Sequence, residues 1–197
     1  MSPPDTRHPP MRTYLILTVA FLLGACDQAG PSSPDSPHAG VQVATPERPA
    51  LRALRAATAQ YRRVEQAEAA GYEVASPCVS LASDDGTELA AMGYHYLNES
   101  LLFDGAVDPT APELLLYEPT EKGRLRLVGA EFMVAADAWT SDAPPSFEGV
   151  TFAAHLTPDV QHGIPFPHYD LHVWAWEPNP DGMFAPFNPQ VSCAEAL

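Results

Sequence analysis

The sequence predicts an α+β domain in which one N-terminal amphipathic helix packs on a mostly antiparallel β-sheet. Apolar residues recur at helical spacing between Pro46 and Gly71. From Tyr72 onward, short runs of β-forming residues are separated by turn residues, among them many of the 22 prolines. One helix followed by a series of strands is typical of α+β folds rather than of alternating βαβ folds.

The helix is predicted from its ends and from its apolar stripe. Thr45 suits the N-cap, Pro46 or Pro49 suits the first turn, and Gly71 suits the C-terminal cap. The stripe consists of Leu51, Leu54, Ala57, Tyr61, Val64 and Ala67. Arginines lie largely off this stripe, namely Arg48, Arg52, Arg55, Arg62 and Arg63. The basic face either meets the acidic remainder of the domain or is simply solvated.

Six strands are predicted after the helix, each bounded by turn residues. The segment EPTEKG between Tyr117 and Arg124 resembles a hairpin connection, so the strands on either side of it should be antiparallel neighbours. The six predicted strands are Tyr72 to Ala75, Ala91 to Leu97, Glu113 to Tyr117, Arg124 to Val134, Val150 to His155, and Tyr169 to Trp176.

The N-terminal segment MRTYLILTVAFLLGAC, from Met11 to Cys26, resembles a bacterial lipoprotein signal. It has a basic residue, an apolar run and small residues before a cysteine. This predicts a signal peptide over residues 1–25, a disordered tether over residues 26–45, and one globular domain over residues 46–197. The tether is predicted because its Pro, Ser, Gly and Ala composition buries little apolar surface.

The lipoprotein resemblance implies that Cys26 carries acyl chains such as palmitate and that the membrane is a partner through this lipid. It also implies an extracytoplasmic location, on the periplasmic or cell-surface side of a bacterial membrane. Disulfides persist in that oxidising environment, so we expect Cys78 and Cys193 to be joined. The alternative is a pair of buried free thiols.

The chain is acidic, with a formal net charge of −15 at pH 7. Nucleic acid is therefore excluded as a partner, because its phosphates would be repelled. No Lys or Arg follows Arg126, although the same stretch holds nine acidic residues and four histidines. A buried carboxylate in this stretch finds no permanent cation within its own segment, so a bound metal ion is one way to neutralise it.

Candidate metal ligands are densest in the segment PHYDLHVWAWEP. On a strand His168, Asp170 and His172 share one face, and Asp170 and His172 are the preferred pair because Pro165 and Pro167 favour a bend at His168. His168 and His172 are too far apart along a regular strand to bind one ion. Other strands are expected to supply His95, Glu131 and His155, and Glu131 is notable because it lies in line with the apolar residues Leu125, Leu127 and Met133. This N/O ligand set suits Zn, Fe, Cu or Mn.

Aromatic residues offer a second interpretation, a cleft that binds a small amphipathic ligand. Core packing is the ordinary role of such residues. The candidates are Tyr94, Tyr96, Trp139, Trp174 and Trp176.

The motifs MGYHYLN and DLHVWAWEPNPDGMFAPFNPQVSC resemble a set of uncharacterised exported bacterial proteins, over roughly Ala56 to Cys193. The resemblance implies an exported single domain with a scaffold around His95 and His172, and it implies no activity.

Three functions remain open from the sequence. The first is an extracytoplasmic lipoprotein whose His and carboxylate pocket binds a metal ion or small ligand. The second is a metal-dependent enzyme that uses the same pocket, and the third is an envelope interaction module without a small-molecule site. A serine-hydrolase elbow and a glycine-rich phosphate loop are absent from the sequence.

Overall fold

The computed structural model describes residues 48–160 and 163–196. The predicted signal peptide, the predicted lipidation site Cys26 and the predicted tether lie outside the described residues. Within them the protein is an α+β structure with a mostly antiparallel sheet, as the sequence predicts. None of the helices in this described part has the length and apolar character to cross a bilayer.

The helical segment begins with α1, Pro49–Thr58, continues through a 3₁₀ turn, Ala59–Arg62, and ends with α2, Val64–Ala69. The sequence predicts one continuous helix here, but Arg63 is extended, with φ −104° and ψ 112°. A tertiary contact accounts for part of this difference. The hydroxyl of Tyr117 donates to the backbone carbonyl of Tyr61 at 2.6 Å, so this carbonyl has a partner outside the helix.

The nine strands are β1 Glu73–Val74, β2 Val79–Ala82, β3 Glu88–Leu97, β4 Leu114–Pro119, β5 Leu125–Ala135, β6 Ser146–Phe147, β7 Val150–Thr151, β8 Ala153–His155 and β9 His168–Val173, counted over the described residues. The main sheet has the strand order β1-β3-β4-β5-β9-β8, and β2 also pairs with β3. Every pairing among these strands is antiparallel. A separate hairpin joins β6 to β7, and a short helix, α3 (Glu99–Leu102), follows β3.

The hairpin between β4 and β5 confirms the prediction made from EPTEKG. Its turn is closed by a hydrogen bond from the backbone N–H of Thr120 to the carbonyl oxygen of Arg124 at 2.9 Å. Two differences from the predicted strands matter for the site. β2 was not predicted, and β9 ends at Val173, so Trp174 and Trp176 lie beyond the strand.

The two faces of the main sheet are differently covered. The helix face packs against α1 and α2, with Leu54, Leu115, Tyr117 and Phe132 buried in one apolar cluster. The opposite face, which we call the ligand face, carries two smaller apolar clusters. One contains Ala91, Leu116, Val128, Trp174 and Val191, and the other contains Leu102, Leu114 and Met133.

A β-bulge sets which residues of β5 reach each face. Leu116 pairs with Gly129 but Tyr117 pairs with Leu127, so Val128 is an extra residue in the ladder. The sequence prediction that Leu125 and Leu127 share a face with Glu131 is therefore wrong. Leu127 lies on the helix face, and Glu131 lies between Val128 and Met133 on the ligand face.

The predicted disulfide is present. Cys78 and Cys193 are joined by an S–S bond of 2.05 Å, with their Cα atoms 5.8 Å apart. The bond ties the segment before β2 to the C-terminal segment, where Asn188 bridges to Ala91 of β3. The C-terminal segment is thereby fixed across the ligand face beside the smaller apolar clusters.

Candidate metal centre

Three strands place three ionisable side chains together on the ligand face. Glu131 of β5 and His172 of β9 are direct cross-strand partners, whereas His95 of β3 pairs with Leu116 of the intervening strand β4. Strands β3 and β5 are therefore about 10 Å apart. Only long side chains that lean over β4 can meet across this distance, and His95 and Glu131 do so.

These three residues form what we call the inner triad. His95 Nε2 lies 3.5 Å from Glu131 Oε2, and His172 Nε2 lies 3.8 Å from the same oxygen. One ligand atom from each residue lies within 4.8 Å of the others. All three residues are buried, with exposed fractions of 9% for His95, 3% for Glu131 and 5% for His172.

Hydrogen bonding fixes the protonation of His95. The hydroxyl of Ser76 donates to the carbonyl of Pro77 at 2.8 Å, and its oxygen lies 3.0 Å from His95 Nδ1. Because the hydroxyl proton is directed to Pro77, Ser76 Oγ accepts from the Nδ1–H of His95. The Nε2 atom of His95 is then unprotonated, and its lone pair is directed at Glu131.

Burial shifts the pKa of each member of the triad toward its neutral form. Desolvation lowers the pKa of His95 to about 4. Desolvation and the neighbouring His95 lower the pKa of His172 to about 3. Desolvation, followed by the charges of Asp170 and Glu113, raises the pKa of Glu131 well above its ordinary range. The two imidazoles are therefore neutral at physiological pH, and ionised Glu131 is unfavourable without a cation.

Two polar atoms of the inner triad are left without a hydrogen-bond partner. Glu131 Oε2 and His172 Nε2 are both fully buried and unpaired. Such groups are rare in folded proteins, because each one loses its water without replacement. An ion bound between them would supply the missing interaction for both.

The separations in the inner triad are close to those that a metal requires. Bonds of about 2.0 to 2.2 Å at tetrahedral angles put neighbouring ligand atoms roughly 3.4 Å apart. The two distances to Glu131 Oε2, 3.5 Å and 3.8 Å, exceed that value only slightly. Two imidazole nitrogens and one carboxylate could therefore close on one ion with small side-chain movements.

The remaining predicted ligands form a separate group, the outer triad of His155, His168 and Asp170. His155 Nε2 lies 2.9 Å from Asp170 Oδ1, and the rings of His155 and His168 stack with centroids 4.9 Å apart. The sequence predicts that His155 lies with His95, Glu131 and His172, but the structure places it with His168 and Asp170. The cause is strand register, since β8 pairs His155 with His168, at the far end of β9 from His172.

Asp170 connects the two triads. Its Oδ1 atom faces His155, and its Oδ2 atom lies 3.8 Å from Nδ1 of His172. Burial raises the pKa of Asp170, while His155 and His168 act in the opposite direction. At 3.8 Å this contact is longer than a hydrogen bond, so Asp170 places a carboxyl group beside the second nitrogen of His172 without fixing its tautomer.

The aromatic residues predicted to line a cleft lie in different places. Tyr94, Tyr96 and Trp139 pack against the helix-face cluster. Trp174 is buried on the ligand face, with its ring stacked on His172 at 6.3 Å. Trp176 packs on the helix side, where its Nε1–H donates to Thr58 Oγ1 at 3.1 Å. The structure brings Trp174 alone of these residues next to the inner triad.

Two residues near the inner triad were missed by the sequence analysis. Ser76 orients His95, but a serine before a proline carries no signal of such a contact. Glu113 is buried and accepts a hydrogen bond from the backbone N–H of Met133 at 3.1 Å. Desolvation is the main reason that its pKa is raised to about 8. An acid at the start of the LLLY strand was the available signal for Glu113.

Two glycines allow the close packing around the inner triad. Gly93 has φ +88°, and a Cβ there would lie 2.3 Å from the carbonyl oxygen of Tyr117. Gly129 lies two residues before Glu131, and a Cβ there would lie 2.8 Å from the carbonyl oxygen of Val173. A side chain at either position would displace the strands that carry His95, Glu131 and His172.

No protein-family model, curated protein or solved structure matches this chain. Function is therefore inferred from the geometry of the two triads.

Proposed function

We propose that this chain is a membrane-anchored extracytoplasmic lipoprotein that binds one divalent transition-metal ion between His95, Glu131 and His172. The observation that carries the proposal is the convergence of two neutral imidazoles and one carboxylate in a buried position, with Glu131 Oε2 and His172 Nε2 unpaired. Buried ionisable groups in native proteins are ordinarily paired or coordinate a metal.

A protonated Glu131 is the competing explanation for the triad. Its single proton would satisfy one imidazole nitrogen at a time, because a carboxylic acid has one O–H donor. His172 Nε2 lies 3.8 Å from Glu131 Oε2, which is too long for a hydrogen bond in either tautomer of His172, so this nitrogen would remain buried and unpaired. A divalent cation interacts with His95, His172 and Glu131 at once, so it accounts for all three residues.

The ligand set limits the identity of the ion. Two imidazoles with one carboxylate suit zinc, iron, copper or manganese, and zinc is the first ion to test because His₂Glu is an established zinc set. Calcium and magnesium are disfavoured, since they prefer oxygen ligands throughout.

Burial favours binding over catalysis at the inner triad. Three protein ligands leave a coordination position open, which is the arrangement of catalytic zinc sites. All three side chains are nevertheless at most 11% exposed, so a substrate has little access to an ion held there. A metal-dependent enzyme is therefore the second candidate function, and metal binding without turnover is the first.

The membrane anchor is proposed from the segment between Met11 and Cys26. The disulfide between Cys78 and Cys193 supports an oxidising location, because disulfides are rare in reducing compartments. Lipid at Cys26 would hold the domain at the membrane without a spanning helix. In a bacterial host, Cys26→Ala should move the protein from the membrane fraction to the soluble fraction. Membrane attachment that survives this substitution would contradict lipidation at Cys26.

Metal content tests the binding proposal directly. Protein folded without chelator, or refolded with added Zn²⁺, should contain one tightly held ion per chain by plasma mass spectrometry. Glu131→Gln should lose more than about 100-fold in affinity, because it removes a direct ligand and not just a supporting contact. Glu73→Gln is the matched control, since Glu73 is an exposed acid on the same sheet. Metal that stays well below one equivalent in the wild type would refute the proposal.

A further inference from the structure

The outer triad offers a second set of metal ligands, at the edge of the sheet. His168 is 3% exposed, and its Nδ1 lies 3.2 Å from the carbonyl oxygen of Phe166. Because a carbonyl oxygen only accepts, Nδ1 is the protonated nitrogen and Nε2 carries the lone pair. The outer triad therefore presents one buried, oriented imidazole, a second imidazole and a carboxylate, all within 4.8 Å of one another.

Exposure falls from His155 through Asp170 to the inner triad, and His168 is as buried as the inner ligands. The side chain of His155 is 48% exposed and that of Asp170 is 16% exposed, whereas those of His172 and Glu131 are both 5% exposed. His168, Asp170 and His172 alternate along β9, so they follow one face of the strand at steps of about 7 Å. Asp170 thus lies between the solvent-exposed His155 of β8 and the buried His172 of β9.

Asp170 is shared between the triads through its two oxygens. Oδ1 is 2.9 Å from His155, and Oδ2 is 3.8 Å from His172 Nδ1. An ion in the outer triad would therefore be bound by the residue that also faces the inner triad. No Lys or Arg follows Arg126 in the sequence. All ligands of the two triads except His95 lie after Arg126, so their segment contains no permanent positive charge to repel a cation.

We propose that His155, His168 and Asp170 form a second, weaker divalent-metal site, from which the ion passes along β9 to the inner triad. The transfer step rests on the proposed function of the inner triad, whereas the existence of the outer site does not. The outer site is weaker because it is more hydrated, and because a divalent ion already in the inner triad repels a second one.

Titration with Co²⁺, whose visible absorption reports coordination, tests the outer site. The wild type should bind two ions per chain in two steps. His155→Ala should remove the weaker step and keep the stronger one, and Glu131→Gln should do the reverse. His155 is half exposed, so its removal leaves no buried cavity. Thr157→Ala is the control, because Thr157 is an exposed neighbour of His155.

Stopped-flow mixing with Co²⁺ tests the transfer step. His155→Ala should slow loading of the inner triad by about tenfold while its equilibrium affinity stays unchanged, because the surface ligands no longer concentrate the ion. Equal loading rates in His155→Ala and the wild type would overturn transfer through the outer triad.

The possible failures are distinguishable. A single binding step that is unaffected by His155→Ala would refute the outer site and leave the inner one intact. One weak step that is abolished by His155→Ala and unaffected by Glu131→Gln would refute the inner site and retain the outer one. Absence of Co²⁺ binding in the wild type would refute both.

Discussion

The helix face and the ligand face of the sheet bury polar atoms in opposite ways. On the helix face, the hydroxyl of Tyr72 donates to the carbonyl of Pro112 at 2.7 Å, and the hydroxyl of Thr58 donates to the carbonyl of Leu54 at 2.7 Å. On the ligand face, Glu131 Oε2 and His172 Nε2 have no hydrogen-bond partner. Burial is similar on both sides, so what distinguishes a structural face from a functional one here is whether the buried polar atoms are satisfied.

Neighbouring residues on β5 give the sharpest version of this comparison. Phe132 faces the helices and Glu131 faces the ligand side, and both are almost fully buried. Substitution of the first should weaken the fold, and removal of the unpaired carboxyl group at the second should strengthen it in the absence of metal. Changes of opposite sign in the free energy of unfolding at these adjacent positions would show that the two faces have different roles.

The largest effect is expected for Phe132→Ala. Phe132 is fully buried and stacks on Phe147 with ring centroids 4.9 Å apart, so the substitution leaves a cavity in the helix-face core. The free energy of unfolding should fall by about 3 to 5 kcal/mol in urea denaturation. The folded fraction should still bind metal with wild-type stoichiometry. Phe103→Ala, at a 58% exposed position, should cost only about 0.5 kcal/mol. Similar losses at both positions would contradict the packing described here.

The next effect is a gain in stability for Glu131→Met in protein stripped of metal. Methionine has a similar length and no polar atom, so it removes a buried carboxyl group that lacks a partner. The free energy of unfolding should rise by about 1 to 3 kcal/mol, while metal binding is lost. Urea denaturation with and without Zn²⁺ measures both effects. A loss of stability in the metal-free variant would show that Glu131 is satisfied within the fold.

A smaller effect is expected at Ser76, which contacts His95 but not the proposed ion. Ser76→Ala removes the acceptor that fixes the tautomer of His95, so metal affinity should fall about 10- to 100-fold. Competition with a chromophoric chelator measures the affinity. Ser80→Ala is the matched control on the neighbouring strand β2 and should leave the affinity unchanged. Equal affinities in the wild type and Ser76→Ala would remove Ser76 from the site.

The smallest effect is the pH dependence of metal affinity. At pH 5.5 both histidines are already neutral, because their pKa values are about 4 and about 3. Glu131, with its raised pKa, still holds its proton and must release it to bind the ion. Affinity should therefore rise about tenfold per pH unit there, which is about 1.4 kcal/mol. Calorimetry in two buffers of different ionisation enthalpy should count one proton released per ion. Two or more protons would mean that the histidines are charged, and none would mean that Glu131 is already ionised.

Much of the fold could be predicted from local sequence patterns. The β4–β5 hairpin follows from its turn residues, and the Cys78–Cys193 bond follows from the number of cysteines and the expected compartment. The bulge at Val128 could not be predicted, because it exists only relative to the pairing strand β4. The break in the N-terminal helix has no Gly or Pro to signal it, and part of its cause is a distant tyrosine hydroxyl.

The candidate site was predictable residue by residue but not as an arrangement. The sequence shows Glu131 as an acid in an apolar row, although the bulge puts Leu125 and Leu127 on the other face. His155 was grouped with His172 because the register between β8 and β9 is invisible in the sequence. Pairing of His155 with His168 divides the six candidate ligands into two groups, and that division is what suggests two sites.

The disulfide has a consequence for the order of events in maturation. Cys78 lies two residues after Ser76, so the covalent bond to Cys193 restrains the segment of residues 76–78. Ser76 in this segment contacts His95 Nδ1 and orients the ring. Before the thiols are oxidised, the chain has all three inner ligands but lacks this restraint. We therefore expect the ion to be captured late, after the thiols are oxidised, and a reductant to release it from a protein that is otherwise still folded.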